Sequence, residues 1–176
     1  MSGYVWYSLL KQFISLLRKR GHKMNYEIVT LPEKKVVGVN ARTKNSSPNM
    51  SDIIGGLWNH FYQDGIYSQI PSKINDKSLG IYSDYETDFN GEYDIFVGCE
   101  VGQEPTNQIA DTSIKIIPTC NYAKFIVRGN MHQAVANFWS KLWDLKLDRS
   151  YICDFEEYQN NSIEDAEVHI YISLNE

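Results

Sequence analysis

Glu156 sits in the run Asp154-Phe155-Glu156-Glu157-Tyr158, in a stretch of chain crowded with rings. Tyr122 and Phe125 precede it, then Trp139 and Trp143; Tyr171 follows in Val168-His169-Ile170-Tyr171-Ile172. A carboxylate among aromatic side chains is the chemistry of a pocket for a lipophilic cation. The rings supply apolar area and negative π-faces, and the acid supplies the countercharge. Burying an unpaired carboxylate is costly, so in an empty pocket its pKa rises or polar partners hold it, and a bound cation relieves the cost. The plainer alternative is an exposed strand acid paired with a lysine. Glu157 takes the opposite face of an extended strand and has that ordinary reading.

Other chemistries find little support. His60, His132 and His169 have no Cys or Ser arrangement that suggests a triad, and they read as surface or satisfied histidines. Cys99, Cys120 and Cys153 are odd in number and widely spaced, so neither a disulfide framework nor a zinc site is expected; buried free thiols are. There is no Gly-rich phosphate loop, and no cofactor or metal is expected. The net charge is -5, and all 22 acidic residues lie beyond residue 23, which makes the body acidic and argues against direct DNA binding. No run approaches the ~20 apolar residues of a membrane span. A cytoplasmic location is expected.

Residues 1–23 stand apart. Trp6, Leu9, Leu10, Phe13, Leu16 and Leu17 recur at helical spacing, and the basic cluster Arg18-Lys19-Arg20 follows. The segment reads as an amphipathic, basic extension, or as one that lies on a membrane surface or a partner. Met24 directly precedes the first strand-like run, so the domain is expected over residues 24–176.

That body reads as one unit written twice. Strands are expected over 26–30 and 36–43, then a helix capped at Ser51 or Asp52 with Ile54, Leu57, Trp58 and Phe61 on one face, then strands over 79–85 and 93–101. The order repeats: strands over 113–117 and 122–128, a helix capped by Asn130 and running to about Leu145, then strands over 151–158 and 167–174. Two helix-on-antiparallel-sheet halves give an α+β domain of pseudo-two-fold character, with a ligand cleft between the halves.

Alternation along each strand sorts the side chains. Val168, Ile170 and Ile172 share a face that wants the helices, which sends Tyr171 to the other. Asp154, Glu156 and Tyr158 share a face, and Phe96 points away from the apolar set Tyr93, Ile95, Val97 and Cys99. On this reading Glu156, Tyr171 and Phe96 converge on one surface. Trp58, Trp139 and Trp143 form aromatic stripes at helical spacing, read as core or as pocket lining; Tyr82 and Tyr122 are further lining candidates.

These residues resemble the GyrI-like effector-binding domain, found at the C-terminus of AraC-type and MerR-type multidrug-responsive regulators and as free-standing proteins. The resemblance rests on residues 33–40 with Val36-Val37-Gly38, Tyr93-Asp94-Ile95-Phe96-Val97-Gly98, Ile117-Pro118 to Tyr122-Ala123, Phe155-Glu156 with Tyr158, and residues 167–172. It implies a tandem pair of helix-on-sheet repeats and a pocket glutamate, matched by Glu156, that pairs with cationic lipophilic ligands. It also implies a pocket tyrosine in the final strand, matched by Tyr171. Cys120 and Ser173 depart from the usual Gly and Pro. Twenty-three residues ahead of Met24 are too few for a DNA-binding domain, so a free-standing module is expected. The leading reading is therefore the binding of an amphipathic, cationic small molecule for sensing or sequestration. Two others stay open: a hydrolase of strained electrophiles, with Glu156 as general base and Tyr171 orienting the substrate, and a protein-binding, gyrase-inhibitor-like module. A protein partner or a homodimer is compatible with each.

Overall fold

The computed structural model describes residues 24–175, so the extension expected over 1–23 lies outside the described residues. Eight strands follow the expected order: β1 (Glu27–Leu31), β2 (Lys34–Lys44), β3 (Ser78–Ser83), β4 (Glu92–Glu100), β5 (Ser113–Ile117), β6 (Cys120–Gly129), β7 (Cys153–Tyr158) and β8 (Ala166–Ser173). Helices α1 (Met50–Gln63) and α3 (Met131–Leu142) fall where the apolar spacing puts them. A short helix α2 (Ile66–Gln69) occupies what reads as polar loop, because Ile66 and Ile70 anchor that turn in the core. Asn130 caps α3 as expected, its side chain accepting from the Gln133 amide. The α1 cap is Asn49 instead of Ser51 or Asp52, without a side-chain bond.

The strands form one antiparallel sheet in the order β1-β6-β8-β7-β3-β4-β2-β5. The two repeats meet at β7 and β3 in its middle. Each repeat gives its first strand to the other: β1 pairs with β6, and β5 pairs with β2. The result is the expected α+β fold of two repeats, closed by an exchange of edge strands.

On one face of the sheet α1 packs on β2 and β4, and α3 on β6 and β8. Phe61 joins Val39 and Val97 under α1; Phe138 and Leu142 join Phe125 and Ile170 under α3. The other face curls on itself. Val29 and Leu31 from one edge strand and Ile117 from the other meet over Ile81, Phe96, Phe155 and Tyr171. Among the described residues no helix is long and apolar enough to cross a membrane.

Strands β2 and β4 approach closely where Gly38 faces Gly98. A Cβ on Gly38 would run into the carbonyl oxygen of Val97, whereas a Cβ on Gly56 of α1 would meet nothing within 4 Å. Gly38→Ala is expected to destabilise the fold by about 3 kcal/mol through overpacking. Gly56→Ala is expected to stabilise it by about 0.5–1 kcal/mol through helix propensity. Urea unfolding of both variants checks the pair, and equal effects would contradict this packing.

Candidate functional site

The site is built where the repeats meet. Cross-strand pairing places Val39, Val97, Gly80, Glu156, Ile170 and Phe125 in one row across the sheet, on the face that carries the helices. Gly80 and Glu156 are partners at the centre of that row. Glu156 is only 1 % exposed. Gly80 makes room for it: a Cβ there would come within 3.1 Å of Glu156 Oε2 and 3.2 Å of the Trp58 ring.

Three neutral donors hold the carboxylate. Trp139 Nε1 donates to Oε1 at 2.6 Å, Tyr82 OH to Oε1 at 3.0 Å, and Tyr158 OH to Oε2 at 2.7 Å. The arrangement carries the pseudo-two-fold. Tyr82 lies two residues past Gly80 on β3, and Tyr158 two residues past Glu156 on β7. Trp58 and Trp139 come from equivalent turns of α1 and α3. Trp58 packs edge-on against Tyr158 with centroids 5.0 Å apart, and Trp139 against Tyr82 at 4.8 Å. Two Trp–Tyr pairs thus flank one acid that lies near the axis. Tyr62 stacks on Trp58 and bonds the Ser78 hydroxyl, and Tyr93 packs on Tyr82.

Burial pushes the Glu156 carboxyl above the usual 4.5, and the bonds from Tyr158, Trp139 and Tyr82 pull against that rise without cancelling it. Burial and the nearby acid hold the Tyr82 and Tyr158 hydroxyls protonated far above the usual 10.0, so both remain donors. Tyr93 is pushed up to about 12 by burial and by Glu156.

Asp154 makes a contrast two residues away on the same face. It is fully buried too, but Arg149 donates to its Oδ2 at 2.6 Å, Tyr85 OH at 3.1 Å, and the Ser173 amide to Oδ1 at 2.7 Å. Asp154 has its cation. Glu156 has no ion-pair partner among the described residues. The expectation for Glu157 as a surface acid needs correcting: it is buried on the opposite face and bonds Lys77 and Gln159.

Of the residues singled out from sequence, Glu156, Tyr82, Trp58 and Trp139 come together. Tyr171, Phe96 and Tyr122 do not join them. The pairing Phe155 with Tyr171 and Glu156 with Ile170 puts Tyr171 on the far face, stacked on Phe155 at 4.5 Å. Tyr122 is there too, 5.4 Å from Phe155, its hydroxyl donating to the Pro118 carbonyl. Phe96 floors a separate hollow of about 270 Å³ on that face, walled by Asn40, Asp94 and Lys115. The expected convergence of Glu156, Tyr171 and Phe96 is therefore corrected, and the sheet separates Glu156 from Tyr171, the pair required by the hydrolase reading. Each strand's alternation was right, but the phase between strands is set by register. Trp143, read as near the buried face of its helix, is 51 % exposed. Tyr158 and Gly80 were not among the site candidates. The signal that finds Tyr158 is the internal repeat, since it stands where Tyr82 stands in the other half.

The comparisons with known proteins show the family and the fold. The family model of Cass2, the integron-associated effector binding protein, matches residues 27–174. The chain belongs to this effector-binding, regulator-related family. YobU of Bacillus subtilis, whose name proposes a transcriptional regulator, is 29% identical over 155 residues, 84% of this chain and 96% of that protein. An integron cassette protein from the mobile metagenome of Vibrio cholerae superposes with a TM-score of 0.70 at 25% identity, covering 88% of this chain and 100% of that one. The protein SAV2435, solved bound to tetraphenylphosphonium, superposes with a TM-score of 0.68 at 19% identity, covering 86% and 94% of the two chains, and so shares the fold. The GyrI-like resemblance holds at the level of family and fold.

A carboxyl whose pKa is raised by folding takes up a proton on folding. Its penalty is absent below the unfolded value near 4.5 and grows as pH rises through the folded value. Glu156→Gln is therefore expected to raise the melting temperature at pH 8, with the gain shrinking towards pH 4. Melting curves across that range test this; a variant less stable than wild type at pH 8 would refute it.

Proposed function

We propose that this member of the effector-binding family binds a lipophilic cation between α1 and α3, with Glu156 as the countercharge and the Trp58–Tyr158 and Trp139–Tyr82 pairs as its aromatic walls. One observation carries the reading. Of two fully buried carboxylates on one strand face, Asp154 is neutralised by Arg149 and Glu156 is met only by neutral donors and rings. A cation delivered by a ligand completes the site electrostatically, and a neutral analogue does not. The module would act in the cytoplasm, as a sensor or by sequestration.

The carboxylate is 1 % exposed beneath the two indoles, so the ligand must displace at least one of them to reach it. The rings then become the walls they were the lid of, and their apolar area is exchanged from each other to the ligand. Tetraphenylphosphonium, the compound bound in the SAV2435 structure, is a lipophilic cation of the required kind and a natural first probe.

Calorimetric titration with tetraphenylphosphonium and with neutral triphenylphosphine oxide tests the proposal. Wild type is expected to prefer the cation, and Glu156→Gln to lose about tenfold or more of that affinity. Because the cation binds the ionised acid, affinity in wild type is expected to rise with pH through the raised Glu156 pKa, and to stay flat in Glu156→Gln. Equal affinity for the two compounds, or cation affinity unaltered in the variant, would leave Glu156 a scaffold residue.

A further inference from the structure

Among the described residues Trp143 is the largest apolar side chain left in the open, 51 % exposed. It is one turn beyond Trp139, and residues four apart stand on the same side of a helix. Its ring is stacked on Phe89, with centroids 5.8 Å apart and planes 22° from parallel. Phe89 belongs to the β3–β4 connection, so the stack joins that loop to the end of α3.

The pair is held in place and leads inward. Asn45 Nδ2 donates to the Phe89 carbonyl at 2.7 Å, and Tyr93 OH donates to Asn45 Oδ1 at 3.0 Å. Tyr93 packs on Tyr82 at 5.8 Å, Tyr82 packs on Trp139, and both bond Glu156. Two ring clusters joined through Asn45 thus lead from the surface at Trp143 to the buried acid. The surroundings are negative. Asp88 precedes Phe89, Asp144 follows Trp143, and Glu86 lies on the same loop. None of these three acids has an ion-pair partner among the described residues, unlike Asp84, which Lys115 neutralises. The equivalent end of α1 carries Tyr62, 41 % exposed but tied to Ser78 and stacked on Trp58, so the more open ring is the one on the α3 side.

We propose that Trp143 and Phe89 form an outer capture subsite for an aromatic cation, from which the ligand passes along the α3 side of the cleft to Glu156. The proposal rests on the reading of Glu156 as countercharge. An aromatic arm stacks on the exposed indole while the unpaired acids of the loop and of Asp144 attract the charge, which raises the local concentration of ligand beside Trp139. Capture of this kind acts on the association rate.

Stopped-flow mixing of the protein with tetraphenylphosphonium, read by tryptophan fluorescence, separates the steps. Trp143→Ala and Phe89→Ala are each expected to slow association about two- to fivefold, the size of one exposed cation–π contact. Trp143→Phe should retain most of the rate, and the dissociation rate should change less. Unchanged melting temperatures confirm that the variants are folded. Glu156→Gln should keep a weak fast phase that adding Phe89→Ala, which leaves every tryptophan in place, removes. Association unaltered in Trp143→Ala while wild type binds overturns the capture subsite alone. Association and dissociation both faster would make the stack a closure instead, and also overturn it. Absence of binding by wild type overturns this proposal together with the reading of Glu156.

Discussion

A carboxylate held out of water without a cation is the constraint around which this molecule is arranged. Removing a charge from water costs several kcal/mol unless it is bonded and paired. Glu156 is bonded three times by groups that carry no charge, so its desolvation is only partly offset. Each donor needs its own support. Trp139 is placed by α3 through Phe138 and Leu142 beneath it, and Tyr82 and Tyr158 by the middle strands. Gly80 must lack a side chain, because a Cβ there would press on both the acid and Trp58. The central strands, both helices and one glycine thus serve a single side chain.

The internal duplication explains the form of the site and its limit. Two repeats meeting across an antiparallel pair generate every off-axis group twice, hence Trp58 with Trp139 and Tyr158 with Tyr82. A group near the axis has room only once, so Gly80 faces Glu156. The two indoles then divide their roles: Trp139 donates its N–H to the acid, whereas Trp58 turns its ring edge towards Gly80. The neighbouring Asp154 shows that the strand can compensate a buried acid fully. Arg149 and Ser173 neutralise and bond it, and this fixes the start of β7 to the end of β8. Leaving Glu156 uncompensated is a local sacrifice of stability of the kind associated with binding sites.

Much of this was legible in the sequence. Hydrophobic patterning located the eight strands and two long helices of the described residues, since the apolar pattern of each element is local. Alternation within a strand correctly set Tyr171 against Ile170 and Phe96 against Val97. What alternation cannot supply is which face of one strand continues which face of the next. That phase is fixed by register, a non-local property settled by packing of the whole sheet. Glu156 was therefore grouped with Tyr171, although pairing with Ile170 and Gly80 sends it under the helices. The exchange of β1 and β5 between repeats was hidden for the same reason. The spacing of Trp143 matches the buried stripe of α3, but the helix ends at Leu142 and the ring lies half exposed against Phe89 of the β3–β4 connection.

The same plan that buries the acid bears on how a ligand of the proposed kind would reach it. Helix α1 and the residues under it form one apolar cluster, and α3 with its strands forms another. Between them, over β3 and β7, the cover consists chiefly of side chains: the half-buried indoles of Trp58 and Trp139 and their tyrosine partners. Parting those rings breaks aromatic contacts worth about 0.5–1.5 kcal/mol each beyond their area, lifts them from the rims of the two clusters and, for Trp139, breaks its bond to Glu156, but it requires no strand pair to open. On the proposed reading, a cation that enters would restore ring contacts and remove the electrostatic deficit at Glu156 at once. Opening would then cost less than unfolding either half, and closure would be favoured most by a ligand that brings both rings and charge. Selectivity would follow from the deficit, because a neutral aromatic compound can replace the lost contacts but not the missing charge.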